Sequence, residues 1–106
     1  MRKKYKNNNI SEQIIINRFL KKLNFNKKGT YNFENDGAFI SFKKNNKLVV
    51  TADSISEGLD FFKFDDPKSI ATKITTINLS DLYAMGVEPH SYLLNLFLPK
   101  YIDLNW

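Results

Sequence analysis

Asn78-Leu79-Ser80-Asp81-Leu82-Tyr83-Ala84-Met85-Gly86 closes the second of two predicted helices, and its reading decides how the rest of the sequence is understood. At about 3.6 residues per turn, Asp81 falls in the apolar stripe drawn by Ile70, Ile74, Ile77 and Met85, not on the solvent side. A carboxylate on such a stripe is costly to bury unless something positive meets it, and a metal ion is an obvious candidate. The plain alternative is a helix end that turns a capping or hydrogen-bonded carboxylate inward. The helix is punctuated at both ends: Asp66 suits its N-cap, Pro67 its first position and Gly86 its C′ position, with Pro89 just beyond.

Upstream, Ser11 is placed to cap a first helix running to about Leu23, with Glu12 in its first turn. Ile15, Phe19 and Leu23 recur every four residues and give that helix one apolar face. Asn24 to Asn32 reads as a polar loop containing Gly29. Residues 38–43 and 47–52 read as strands around Lys44-Asn45-Asn46, where asparagine tolerates the positive φ of a tight turn. Leu48-Val49-Val50-Thr51-Ala52-Asp53 is apolar on both faces, as expected of a central strand. Ser54 to Phe64 is a loop with a cluster of aromatics, and Tyr92 to Leu98 is a third strand. Ile102 to Trp106 reads as a helix cap and first turn. The order predicts an α+β fold, a mixed sheet covered by helices on one face. Three strands leave exposed edges, so further strands or a partner chain are expected to complete it.

With 106 residues the chain is one domain at most, and 42% hydrophobic with 14% aromatic residues argues for a globular protein with a core. The absence of cysteine excludes disulfides and thiolate metal sites. Residues 1–9 read as a disordered tail, basic at first, with Asn7-Asn8-Asn9 where a signal peptide needs an apolar stretch. No apolar run approaches the roughly 20 residues that span a bilayer. The expectation is a cytoplasmic protein without a membrane partner. The net charge of +5 resides mostly at Arg2–Lys6, Lys21–Lys28 and Lys43–Lys47, in the tail and in turns. These cations are not interleaved with aromatics on one strand face, so a solvated surface is favoured over a nucleic-acid interface.

Asp36 and Asp53 lie at the start and end of predicted strands, and with Asp81 they form a candidate set for a hard cation such as Mg²⁺. Thr51 and the main-chain carbonyl of Ala52 add neutral oxygens. Taken singly, Asp36 is explained by the Asn35-Asp36-Gly37 turn, and Asp53 by the end of its strand. The chain has no P-loop and no Gly-x-Gly-x-x-Gly, and its single His90 sits in a turn after the helix.

The order Glu34-Asn35-Asp36-Gly37-Ala38, then Leu48 to Asp53 with Glu57-Gly58, then Asn78-Leu79-Ser80-Asp81 to Met85-Gly86, resembles the amino-terminal part of thiamine-monophosphate kinase over roughly residues 10–106. The resemblance implies a fold similar to the N-terminal domain of aminoimidazole ribonucleotide synthetase, pairing across a dimer. It implies ATP- and Mg²⁺-dependent phosphorylation of thiamine monophosphate to thiamine diphosphate. By position it makes Asp36, Thr51, Ala52, Asp53 and Asp81 metal-binding residues, and it sets Asp60 where the family has a substrate-contacting histidine. The departures are Glu34-Asn35-Asp36 in place of Gly-Asp-Asp, the Asp60 replacement, and the lack of the family's later Gly-Gly-Asp motif and carboxyl-terminal domain. Residues 10–106 are therefore expected to be an incomplete N-terminal ATP- and Mg²⁺-binding domain, inactive as an isolated chain. A non-catalytic dimerising remnant or split-gene subunit is the alternative. Selenophosphate synthetase shares a similar Leu-Ser-Asp-x-Tyr-Ala-Met-Gly run, but its chemistry needs a cysteine or selenocysteine that this chain lacks.

Overall fold

The computed structural model describes residues 10–25, 28–100 and 102–106. The tail expected at residues 1–9 lies outside the described residues. Two compact units are formed, Asn45–Asn95 and a second made of Met1–Lys44 with Leu96–Trp106.

The dominant element of the Asn45–Asn95 unit is the helix Pro67–Ala84, here α2, 18 residues long. Its ends follow the sequence punctuation. Asp66 is extended (φ −64°, ψ 126°), and its Oδ2 accepts from the Ser69 backbone N–H at 2.9 Å and from the Ser69 hydroxyl at 3.3 Å. Pro67 follows at the start of the helix, where no intrahelical N–H is needed. At the other end Gly86 is left-handed (φ 70°). Its N–H donates to the Tyr83 carbonyl at 3.0 Å, and the Val87 N–H reaches back to Leu82 at 3.2 Å. That 6→1 and 5→2 pair satisfies carbonyls that the helix end would otherwise leave without partners. Within α2 the Thr72 and Thr75 hydroxyls donate to the carbonyls four residues back, Lys68 and Ala71, both at 2.8 Å.

In the other unit the first helix is shorter than its periodicity predicts. It spans Glu12–Arg18, here α1, and continues as a 3-10 turn over Leu20–Leu23. Ser11 is extended, but its side chain makes no capping bond. Its carbonyl instead accepts from Ile14 at 3.0 Å and Ile15 at 3.4 Å. Beyond it the expected polar loop is a tight, partly helical segment, Lys28–Phe33, interrupted by left-handed Tyr31 and Asn32. The carbonyl of Gly29 accepts from the Phe39 N–H at 2.7 Å, and a Cβ at Gly29 would run into the Phe39 carbonyl oxygen. Glycine is required there by close backbone approach. Asn24 is buried, with its Nδ2 donating to Asn32 Oδ1 at 3.0 Å. Near the carboxyl end Asp103 accepts from the Asn105 N–H at 2.9 Å and Trp106 closes a turn onto the Asp103 carbonyl, the cap-like geometry expected there.

The three predicted strands take a different form. Residues 38–43, 47–52 and 92–98 belong to no ladder among the described residues, where the one β-bridge is the local pair Glu57 and Phe61. Asn45 does adopt the positive φ expected of the turn, at 78°. The difference has a physical cause: a turn residue fixes its own conformation, whereas a strand is stabilised only by the N–H and C=O groups of a neighbour. Without a ladder the apolar residues have no shared face to cover. The expected core is accordingly missing among the described residues: no apolar side chain is buried there, and Leu93 and Phe97 are 90% and 95% exposed.

Candidate functional site

In the Asn45–Asn95 unit the extended segment 51–53 lies against the last turns of α2 through two hydrogen bonds. The Thr51 hydroxyl donates to Oδ2 of Asp81 at 3.1 Å. The Asp53 backbone N–H donates to Oδ1 of Asn78 at 3.1 Å. Residues 78 and 81 are three apart on a helix and share a face, and residues 51 and 53 are two apart on an extended chain and share a side. The lower residue of one pair meets the upper residue of the other, so the segment runs antiparallel to α2. Each element supplies one carboxylate, and each carboxylate-bearing residue is bonded by a neutral residue from the opposite element.

The reason for singling out Asp81 changes in the structure. Ile70, Ile74 and Ile77 are half-buried, but Asp81 and Met85 are exposed. The carboxylate is therefore solvent-exposed in this chain, and it accepts from the hydroxyl of Thr51. The inward, hydrogen-bonded carboxylate posed as the plain alternative describes the bond, though not the burial.

Asn78 is the residue that sequence reasoning passed over. Its Nδ2 donates to the Ile74 carbonyl at 3.0 Å while its Oδ1 accepts from Asp53. Since an N–H only donates and a carbonyl only accepts, the two partners fix the orientation of the amide. The signal was present: Asn78 lies three residues before Asp81, on the same helix face.

Asp60 is engaged in its own loop. Its Oδ2 accepts from the Ser56 N–H at 2.9 Å and the Ser56 hydroxyl at 3.5 Å, and its carbonyl accepts from Nζ of Lys73. The Gly58 N–H donates to the Phe61 carbonyl at 2.7 Å, with Gly58 left-handed at φ 86°. Asp60 thus closes the 56–61 turn and links it to α2, while Leu59, Phe62 and Phe64 remain exposed. His90 pairs its Nδ1 with the hydroxyl of neighbouring Ser91 at 3.2 Å, in the turn region after α2.

Asp36 is exposed in the bend 35–37 and belongs to the other unit, which also holds the ion pair of half-buried Lys21 with exposed Glu34 at 3.5 Å. Among the described residues no three histidine, aspartate or glutamate side chains gather at one point. The structure brings together Thr51, Asp53, Asn78 and Asp81, with the Ala52 carbonyl in the same segment. No helix among the described residues is long and apolar enough to cross a membrane.

Comparison with known proteins adds to this geometry. The family described as AIR synthase related protein, N-terminal domain, matches residues 34–106, a range that includes Asp36, the 51–53 segment, Asp60, Asn78 and Asp81. Thiamine-monophosphate kinase of Buchnera aphidicola subsp. Schizaphis graminum is 39% identical over 89 residues, covering 81% of this chain and 27% of that protein. The kinase of the same name from the Acyrthosiphon pisum strain is 40% identical over 65 residues, 61% of this chain and 20% of that protein. That of Haemophilus influenzae is 39% identical over 71 residues, 67% of this chain and 21% of that protein. The chain spans only about a fifth to a quarter of the length of these relatives. No solved structure matches.

Proposed function

The chain belongs to the AIR synthase related proteins through their N-terminal domain, and from that premise we propose that it is the Mg²⁺-binding amino-terminal part of a kinase that phosphorylates thiamine monophosphate with ATP. The relatives' name supports the substrate and reaction class. The observation that carries the site is the pair of cross-bonds between segment 51–53 and α2, the Asp53 N–H to Asn78 and the Thr51 hydroxyl to the Asp81 carboxylate, which joins the two elements that bear Asp53 and Asp81.

The donor set fits a hard cation. Mg²⁺ is commonly held by one or two carboxylates with water and substrate phosphate completing its shell, so a site with two carboxylates and neutral oxygens is sufficient in kind. Asp53 and Asp81 would hold the ion, with the Ala52 carbonyl and the Thr51 hydroxyl as neutral oxygens and Asp36 as a third carboxylate by resemblance. When bound, Mg²⁺ neutralises charge on transferring phosphates. The chain's own contribution is positioning: the 51–53 segment sets one carboxylate and α2 the other, and the cross-bonds limit their freedom before any ligand arrives. Asp60 enters as the brace of the 56–61 loop, and its contact with substrate rests on the resemblance. ATP is the co-substrate, and the chain alone is expected to bind Mg²⁺ without turning over ATP and thiamine monophosphate.

The exposed extended segments favour a second, compatible statement. Leu93 and Phe97 on 92–98, and Leu48 and Val50 on 47–52, present apolar surface with no ladder to cover it. Pairing with a second copy of the chain would give those edges partners.

Calorimetric titration of the chain with Mg²⁺ tests the metal reading. Asp81→Asn and Asp53→Asn are each expected to weaken binding by about tenfold or more. A unit charge at about 4 Å contributes roughly 4 kcal/mol at an effective dielectric near 20, and about 1.4 kcal/mol is tenfold. Equal affinity in wild type and both variants would sink the assignment.

A further inference from the structure

We infer that Asn78 is a positioning residue: it acts through the Asp53 main chain, holding segment 51–53 against the last turns of α2 in the register in which Thr51 meets the Asp81 carboxylate. The inference deepens the metal reading above and rests on it for its ligand, but its structural content stands separately.

Three observations carry it. The Asn78 amide spans two elements, donating to the Ile74 carbonyl inside α2 at 3.0 Å and accepting from the Asp53 backbone N–H at 3.1 Å. The bond from Asp53 is made by the main chain, so it fixes where the Asp53 Cα sits and leaves the carboxylate oxygens to other partners. The second cross-bond, from Thr51 to Asp81, is made between side chains and leaves the 51–53 backbone able to rotate around it. Asn78 is therefore the group that locks the backbone of the segment. Residues that orient metal ligands without touching the ion commonly change affinity by about 10- to 100-fold when removed.

A helix-stabilising role for Asn78 is separable from this one. The Thr72 and Thr75 hydroxyls already make back-bonds to the carbonyls four residues earlier in the same helix, so a serine at position 78 has a precedent for replacing the Ile74 bond. Serine is too short to reach Asp53 as well. Asn78→Ser thus keeps the helix bond and loses the cross-bond. Asn78→Asp keeps an acceptor for the Asp53 N–H, and Asn78→Ala removes both bonds.

The experiment measures hydrogen exchange at the Asp53 amide by NMR in the full chain without metal, then titrates Mg²⁺ into each variant. Asn78→Ser and Asn78→Ala are expected to exchange the Asp53 amide several-fold faster than wild type and to bind Mg²⁺ about 10- to 100-fold more weakly. Asn78→Asp is expected to retain the slow exchange, and circular dichroism should report the same helix content in Asn78→Ser as in wild type. Slow Asp53 exchange in Asn78→Ser, or wild-type Mg²⁺ affinity despite fast exchange, overturns the positioning role. Should the wild-type chain bind no Mg²⁺ while Asp53 exchange still depends on residue 78, the metal reading fails and the backbone lock stands.

Discussion

Helix α2 and the extended segments 38–43, 47–52 and 92–98 all carry regularly placed apolar residues, yet they end in opposite conditions. The helix satisfies nearly every backbone group within itself, and its two ends are closed by Asp66 and by the turn at Gly86. The extended segments carry β-branched and aromatic residues in the right places but make no ladder, and Val50, Leu93 and Phe97 face solvent. Local and non-local structure make different demands: a helix needs its own sequence, whereas a strand needs another strand. The site follows the same division. Its well-defined half is the segment 51–53 that α2 itself holds, and Asp36 belongs to the other unit.

The sharpest way to break the contrast is to disable the self-sufficient partner. Thr76→Pro places proline in the interior of α2, where it removes a backbone hydrogen bond and clashes with the preceding turn, at a cost of about 3 kcal/mol or more. Far-UV circular dichroism should lose most of its helical signal, and the Asp53 amide should exchange freely because Asn78 no longer has a helix to stand on. Retained helicity would mean that α2 is held by contacts beyond its own hydrogen bonds.

A smaller effect sharpens the comparison at the amino end of the helix. Asp66→Ala removes the acceptor for the Ser69 N–H and is expected to destabilise α2 by about 1 kcal/mol. A fall in the thermal midpoint of the helical signal checks it, and Asp66→Ser should recover most of the loss. No such loss is expected at Ser11, where the α1 cap is made by the backbone carbonyl and not by the side chain.

Asp66, Pro67 and Gly86 were legible because each signal acts within a few residues of itself, and the positive φ of Asn45 was legible for the same reason. The Ser11 side-chain cap and the continuous first helix to Leu23 were not, since residue type allows a cap without compelling it, and apolar spacing marks a face without fixing where an α-helix tightens into a 3-10 turn. Asp81 and Asp53 were each singled out from a position within one predicted element, but the bonds that join those elements were not legible. Thr51 to Asp81 and Asp53 to Asn78 join residues 30 and 25 apart in sequence, and no spacing rule within one element encodes such a pair. At Asp60 the resemblance pointed to substrate, and the loop bond that its carboxylate accepts from the Ser56 N–H was not legible from it.

The smallest expected change in stability tests the extended half directly. Val50 is 74% exposed and alternates with Thr51 and Asp53, so its side chain lies on the side of the segment away from the α2 bonds. Val50→Lys is expected to alter the thermal midpoint by no more than about 0.5 kcal/mol in equivalent stability, because the position is largely exposed. Lysine on an open strand edge opposes pairing with another chain, so sedimentation should show any dimer built on segment 47–52 reverting to monomer. A loss of more than about 1 kcal/mol without a change in mass would place Val50 in a packed environment within one chain. The contrast with α2 would then be one of sequence distance alone.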